Sequence, residues 1–333
     1  MATYTTATTG VTGIREDLSD VITRISPEET PLVSSLASRS ANNIQFDWQH
    51  QELKTAAANN VAEGADATEE DPIPTLRLGN VTQISQKTVK VSGTLDAVDT
   101  AGRAEETAYQ KALKALELRR DIEHTILNED QQRTTGATRK TATLSSWISN
   151  LSRGASPDPL PFTQDADGDG VNDIYDGSSA PIHNSASGQR LLTLEMIEDM
   201  MEAAYSDGGS PDRIIMSPGQ KRKFSNLAIT ANTVADVSMN QTAARPATAI
   251  GAVDVFLTDF GQLDVVVDRF CHNDRVFLID PNYAKFVTLP GRNYVTTELA
   301  KTGDSSKFQC LCEWGLEISS PKAHAAIYDL KVA

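Results

Sequence analysis

Carboxylates at alternate positions form the strongest chemical signal in this sequence. The stretch DADGDGVNDIYDG, residues 165–177, has aspartates at the first, third and fifth positions of a calcium-loop pattern and a glycine at the sixth. Position seven of such a loop binds through its backbone carbonyl, and positions nine and twelve here are again aspartates. The spacing therefore predicts a calcium site with the ligands Asp165, Asp167, Asp169, Val171, Asp173 and Asp176.

Two features of this stretch differ from the usual calcium loop. The twelfth position is an aspartate, whereas the pattern has a glutamate that binds the ion with both oxygens. The flanking segments are rich in Pro, Gly and Ser, which does not favour helices on either side. The stretch is similar to dockerin-type and thrombospondin-type loops, which share the aspartate ends and irregular flanks. The alternative is a solvated turn, because Asp and Gly both tolerate tight backbone angles.

The other reactive residues do not form a recognisable site. The sequence contains no phosphate-binding glycine loop, nucleophile elbow or zinc-protease helix motif. Its five histidines lack the spacing of metal ligands. Cys271 and His272 are adjacent, and adjacent residues of a strand point to opposite faces, which argues against a catalytic dyad. The sequence therefore predicts that the protein is not an enzyme.

The composition is that of a soluble globular protein. The chain has 333 residues, of which 39% are hydrophobic and 23% are charged. It contains no apolar run of about eighteen residues and no basic start followed by an apolar core, so we expect neither a membrane span nor a secretory signal. Three cysteines do not suggest a disulfide scaffold. The net charge of −15 argues against a surface that binds nucleic acid through its phosphates.

The first half of the chain reads as an arm, a long loop and a long helix. The polar start contains one short helix candidate, Ile14–Ile25. Two strand candidates follow, one that includes Ile44, Phe46 and Trp48 and one from Val81 to Leu95. Between them lies TAAANNVAEGADATEEDPIP, which is acidic and lacks an apolar period. A loop of this length without its own core suggests a segment that reaches onto another subunit.

A helical pattern covers residues 104–128. Apolar residues form one stripe along it, with charged residues that include Glu123 largely elsewhere, and we expect this stripe to pack closely against a sheet or a second helix. The stripe consists of Ala108, Ala112, Ala115, Ile122 and Ile126.

The second half predicts an α/β segment followed by strands. Thr193 can cap a helix, RIIM reads as a buried strand, and Ser217-Pro218-Gly219-Gln220 reads as a capping box. The stretch FQCLCEWGLEIS places apolar residues and both Cys310 and Cys312 on one face of a strand, opposite Gln309, Glu313 and Glu317. Shorter strands are expected at 253–257, 263–267, 276–279 and 284–288.

This order of elements resembles the major capsid proteins of tailed bacteriophages, which have the Hong Kong 97-type fold. The resemblance rests on EMIEDMMEAAYSDGGSPDRIIMSPGQKRKFSNL, on VDVFLTDFGQLDVVVDRF and on ELAKTGDSSKFQCLCEWGLEISSPKAHAAIYDL. These are patterns of turns and packing rather than of chemistry. The resemblance implies an α+β fold with an N-terminal arm, an extended loop, a peripheral domain with a long spine helix, and an axial domain.

The resemblance also implies a division of the chain. The expected parts are an N-terminal arm at 1–43, a two-stranded extended loop at 44–95, a spine helix of the peripheral domain at 96–130, an insertion with the Asp-rich loop at 131–190, an axial domain at 191–260, and strands shared by both domains at 261–333.

The implied function is a structural one. Copies of the chain would form pentamers and hexamers, assembled in the host cytoplasm, and close the virion head around DNA without binding it specifically. Further partners would be scaffolding, decoration and portal proteins, and no membrane would be involved. The alternative from the calcium loop is a calcium-dependent surface or adhesion protein, which would be expected to have a signal peptide and several such loops.

Overall fold

The computed structural model describes residues 26–54, 56–67, 69, 72–98, 105–152, 177–178, 189–236 and 254–331, with only the backbone at 228–236. The predicted helix Ile14–Ile25 and the six predicted calcium ligands at 165–176 lie outside the described residues.

The elements of the described residues follow the predicted order. The helices are α1 (Pro31–Ser35), α2 (Gly93–Ala97), α3 (Glu106–Asn128), α4 (Leu194–Ser206) and α5 (Pro218–Asp236). The strands are β1 (Ala37–Ser40), β2 (Gln45–His50), β3 (Leu76–Val81), β4 (Gln83–Ser92), β5 (Asn150–Ser152), β6 (Arg213–Met216), β7 (Val255–Thr258), β8 (Gly261–Val267), β9 (Val276–Ile279), β10 (Ala284–Thr288), β11 (Val295–Leu299), β12 (Ser305–Ile318) and β13 (Ala325–Ile327).

Strand β12 organises the first of two large sheets. It pairs antiparallel with β4 over ten residues, and on its other side with β10 and β11, while β1 extends β10 in parallel. The predicted apolar face of β12 is confirmed, since Cys310, Cys312, Trp314 and Leu316 are all buried. A strand whose alternate residues are apolar buries one face, and here that face lies against α3.

The opposite, polar face of β12 is buried at two of its charged residues. Glu313 and Glu317 are each only 2% exposed. Such burial is tolerated because each carboxylate is paired with cations from neighbouring segments. Glu313 is bonded by Arg139 at 2.7 Å and Arg292 at 2.5 Å, and Glu317 by Lys285 at 3.1 Å and by Arg39.

The second large sheet has the strand order β5-β13-β9-β6-β8-β7. One face of it packs under α4, whose start is fixed as predicted because the Thr193 hydroxyl accepts a hydrogen bond from the Met196 N–H. Ser217 likewise accepts from the Gln220 N–H at 3.4 Å at the start of α5. The Gln220 side chain, however, donates to the Asn273 carbonyl at 2.6 Å and does not form the return bond of a capping box.

Residues 131–152, which begin the segment expected to be an insertion, are part of the core. Leu144, Trp147 and Ile148 are fully buried and pack between α3 and the two sheets. β5 pairs with β13, so this segment also completes the second sheet. The sequence hides this role because the buried apolar residues stand among Ser and Thr, whose hydroxyls are satisfied locally, as when Thr143 donates to the Glu129 carbonyl at 2.8 Å.

Helix α3 corrects two expectations of the apolar stripe. Ile122 and Ile126 are buried as predicted, but Ala108 and Ala112 are exposed. Glu123, predicted to lie largely off the stripe with the charged residues, is fully buried.

The extended loop is a hairpin of β2 and β3, with Gln45 opposite Val81 and His50 opposite Leu76. The predicted strand from Val81 to Leu95 is confirmed at Gln83–Ser92, whereas Gly93–Ala97 forms α2 instead. Its main part is β4, which pairs with β12 and belongs to the first sheet. β4 can form part of this sheet because its side chains alternate. Val91 points into the core, and every second side chain of the strand is exposed to solvent.

Candidate assembly surfaces

Aromatic side chains anchor the root of the hairpin to the core. The Phe46 and Trp48 rings are stacked with centroids 6.1 Å apart, and Trp48 lies 5.1 Å from the buried Trp147 ring. Phe46 also contacts β12 at Gly315, where an added Cβ would lie 2.7 Å from its ring. A larger residue at 315 would displace Phe46, so this glycine is required by packing.

The hairpin tip, residues 51–75, is exposed at every described position. It carries apolar side chains that a monomer leaves in water, with Leu53 94% and Val61 69% exposed. Acidic residues accompany them, including Glu63 and Asp66. An apolar, acidic segment without a core of its own is suited to burial against a partner.

Charged residues at the base of the tip tie it to the rest of the subunit. Glu52 pairs with Lys322 at 2.9 Å, and His50 lies 3.5 Å from Glu52. They border a cleft of about 640 Å³ that also includes Asp207 at the end of α4. The ion pair fixes the direction in which the tip leaves the subunit.

An open apolar groove runs beside the first half of α3. Its volume is about 640 Å³, and its floor includes Ala115, Leu116 and Phe286. Ala112 and Tyr294 complete its apolar walls. The short side chains of Ala112 and Ala115 leave an open space beside this part of the stripe.

Two neighbouring arginines of α3, Arg119 and Arg120, have different surroundings. Arg119 borders the groove and donates to the Ser34 hydroxyl at 2.7 Å. Arg120 lies over the Phe270 ring at 5.6 Å and borders a separate cavity of about 150 Å³. Only Arg119 is therefore placed at the edge of the groove.

The three cysteines of the described residues are all buried. Cys271 is buried, and burial raises the pKa of its thiol far above the usual range, which keeps it protonated and unreactive. Cys310 and Cys312 are likewise free and buried. Within the described ranges, no group of three acidic, His or Cys residues could hold a metal, and no helix is both long and apolar enough to cross a bilayer.

Comparison with known proteins decides between the structural and the adhesive interpretation. The profile of the SU10 major capsid protein family matches residues 2–331. The chain belongs to this family. The major capsid protein of Escherichia phage Phieco32 is 27% identical over 342 residues, which cover 95% of this chain and 94% of that protein.

Solved structures show the same fold at low identity. The capsid asymmetric unit of cyanophage A-1(L) superposes with a TM-score of 0.65 at 14% identity, and covers 95% of this chain and 97% of that one. The capsid of a native GTA particle superposes with a TM-score of 0.58 at 12% identity, with 96% of both chains covered. The predicted α+β, Hong Kong 97-type capsid fold is confirmed.

As a member of the SU10 major capsid protein family, the protein is a structural component of the phage virion and not an enzyme. The functional features are therefore surfaces that contact other subunits. The comparisons give no support to the calcium-dependent adhesion alternative. Sequence reasoning found the acidic loop but missed the groove, because it assigned the whole alanine stripe of α3 to packing within the subunit.

Proposed function

We propose that the chain assembles into pentamers and hexamers that close an icosahedral head around DNA, and that the tip of one subunit docks in the α3 groove of its neighbour. The observation that carries this proposal is that both surfaces are apolar and carry opposite charges. The tip exposes Leu53 and Val61, and the groove offers an unfilled apolar floor with Arg119 at its edge.

Burial of a leucine or valine side chain contributes about 1.5 to 3 kcal/mol. The acids of the tip would approach Arg119, which favours this orientation over one that places them on the apolar floor. Because each subunit both offers a tip and receives one, the contact can repeat around a ring until it closes. The net charge of −15 suits a container that does not adhere to its DNA.

We expect the purified protein to form capsomers or shells. Light scattering and analytical ultracentrifugation of the full chain, over a range of protein and salt concentrations, would measure the particle mass. Species many times heavier than the 36.0 kDa chain support the proposal. A compact monomer under every condition would contradict it.

Further partners follow from the resemblance to tailed-phage capsids alone. They are scaffolding, decoration and portal proteins. Co-assembly with the proteins made by the same phage is the measurement that would identify them.

We also propose that calcium binds the stretch 165–176. The support is the spacing of its five aspartates, which repel one another unless a cation lies between them. The residue after this stretch is fixed in the core. Gly177 has φ of +74°, lies against the Trp147 ring, and its carbonyl accepts from the Arg133 N–H at 2.7 Å. The cation would brace this part of the shell surface and would not catalyse.

We expect weak calcium binding, with a Kd on the order of 10⁻⁴ M, because aspartate replaces the bidentate glutamate. Calorimetry with calcium should give heat for the native chain and none for the double variant Asp165→Ala, Asp169→Ala. The single variant Asp66→Ala, in the hairpin tip, is a control that should bind like the native chain. Flat titrations for all three proteins would leave the stretch as a solvated turn.

A further inference from the structure

The N-terminal arm contributes part of the lining of the α3 groove. Val33, in α1, lines the groove together with residues of α3, with Phe286 of β10 and with Tyr294. Val33 is half-buried and packs against the core cluster that contains Ile122. The groove is therefore not formed by α3 and the sheet alone, because the wall at Val33 exists only while α1 lies beside them.

Glu123 of α3 holds α1 in this position through backbone hydrogen bonds. Its Oε1 atom accepts from the Leu32 N–H at 2.7 Å, and its Oε2 atom accepts from the Val33 N–H at 2.9 Å. These N–H groups lie in the first turn of α1, where the helix itself offers no acceptor. The residue before α1, Thr30, gives no side-chain cap. Glu123 therefore ties the backbone of the residue that lines the groove directly to α3.

A second contact joins α1 to the cation at the edge of the groove. The Arg119 guanidinium donates to the Ser34 hydroxyl at 2.7 Å, and that hydroxyl donates to the Thr30 carbonyl at 2.5 Å. Ser34 is exposed, whereas Glu123 is 0% exposed. Because water competes with an exposed hydrogen bond but not with a buried one, Glu123 contributes more to the docking of α1. The docked arm thus supplies an apolar wall and orients Arg119.

The chain after α1 is fixed independently of Glu123. Strand β1 pairs in parallel with β10, where Ser38 lies opposite Phe286 of the groove floor. Loss of the Glu123 contacts would leave two N–H groups without acceptors in the docked arm, which disfavours docking. It would leave the pairing of β1 in place, so we expect the change to be confined to the arm segment 26–36.

We propose that Glu123 is the positioning residue of the α3 groove, and that a neighbour's tip binds with full affinity only to a subunit whose arm segment is docked on α3. This inference rests on the proposed docking of the tip in the groove. The affinity for the tip is reduced by the fraction of subunits whose arm lies away from α3. By the same linkage, a bound tip favours the docked arm. The arm of one subunit and the tip of the next are therefore coupled.

The coupling can be measured on dissociated, full-length subunits with a fluorescein-labelled synthetic peptide of residues 51–75 as the probe. Fluorescence anisotropy gives the Kd of the peptide for the native chain and for Glu123→Gln, whose side chain keeps one acceptor and turns an amide N–H toward a backbone N–H. We expect the peptide to bind this variant about tenfold more weakly. Glu117→Gln is the matched control, because Glu117 lies on the same helix but pairs with Lys114 and does not line the groove. It should bind like the native chain.

Val33→Ala separates positioning from a general loss of stability. In the native background it should weaken peptide binding about threefold, since it removes apolar surface from the wall. In the Glu123→Gln background it should have almost no further effect, because the wall is already displaced. If Glu123 only stabilised the subunit, the two effects would multiply.

Hydrogen exchange of the native chain gives a second measurement that needs no variant. Addition of the peptide should slow exchange at the Leu32 and Val33 N–H groups, because the peptide favours the docked arm. Equal peptide affinities of the native chain and Glu123→Gln, effects of Val33→Ala and Glu123→Gln that multiply, or exchange that the peptide does not change would each overturn this inference and leave tip docking in place. A peptide that does not bind the native chain would overturn tip docking as well.

Discussion

Deletion of Ala58–Glu69 should leave a folded subunit that cannot close shells. Every described residue in this range is exposed, so its removal takes nothing from the core of the subunit. The contact that it would make with the α3 groove is lost at every interface of the shell. If the docked tip contributes about 3 kcal/mol per contact, the association constant of each contact falls by about 100-fold. Because a closed shell contains many such contacts, the loss of free energy adds up over all of them. Electron microscopy and sedimentation should show free subunits or small rings in place of heads.

A variant of equal length separates the side chains from the length of the loop. In it, residues 58–69 are replaced by Gly and Ser, so the tip can still span the same distance. We expect this variant also to fail, because Val61 and the acids are gone. Circular dichroism and urea unfolding should give the same fold and stability for both variants as for the native subunit. Normal heads from either variant would show that this part of the tip does not dock.

The sequence predicted the elements of this fold well because their signals are local. The β12 stretch alternates so regularly that its buried face could be named residue by residue. Thr193 fixes the start of α4 through a hydrogen bond to a residue only three positions away. Periodicity and capping depend on near neighbours, and for that reason they are readable without the tertiary structure.

The errors concern contacts between distant segments. Glu123 looked like an ordinary charged residue of α3, because its partners Leu32 and Val33 precede it by about ninety residues. Trp147 stands in a segment of Ser and Thr, and only the packing around Trp48 reveals it as core. Neither case leaves a periodic pattern, since a long-range contact is set by topology rather than by spacing along the chain.

Substitution of Glu313 by alanine should be strongly destabilising, although the sequence places it on the polar face of β12. Its carboxylate is 2% exposed and accepts from the Thr82 hydroxyl at 2.9 Å as well as from Arg139 and Arg292. Loss of one partner in a buried ion pair costs about 3 to 5 kcal/mol, because the remaining charge is left uncompensated. The two arginines are partly exposed, which lets water relieve some of that cost, so we expect about 3 kcal/mol.

Glu298→Ala on the exposed edge strand β11 is the matched control, with an expected change below about 0.5 kcal/mol in the free energy of unfolding. Glu313→Gln should lie between the two, since it retains the shape and one acceptor but removes the charge. Urea unfolding of dissociated subunits measures all three. Equal stabilities for Glu313→Ala and Glu298→Ala would mean that water already solvates Arg139 and Arg292 well enough to make the buried carboxylate dispensable. A loss near 3 kcal/mol would instead place this carboxylate among the interactions that hold together the junction of β3 and β4, strand β12 and the segment after α3. Thr82, Glu313 and Arg139 come from those three parts of the chain.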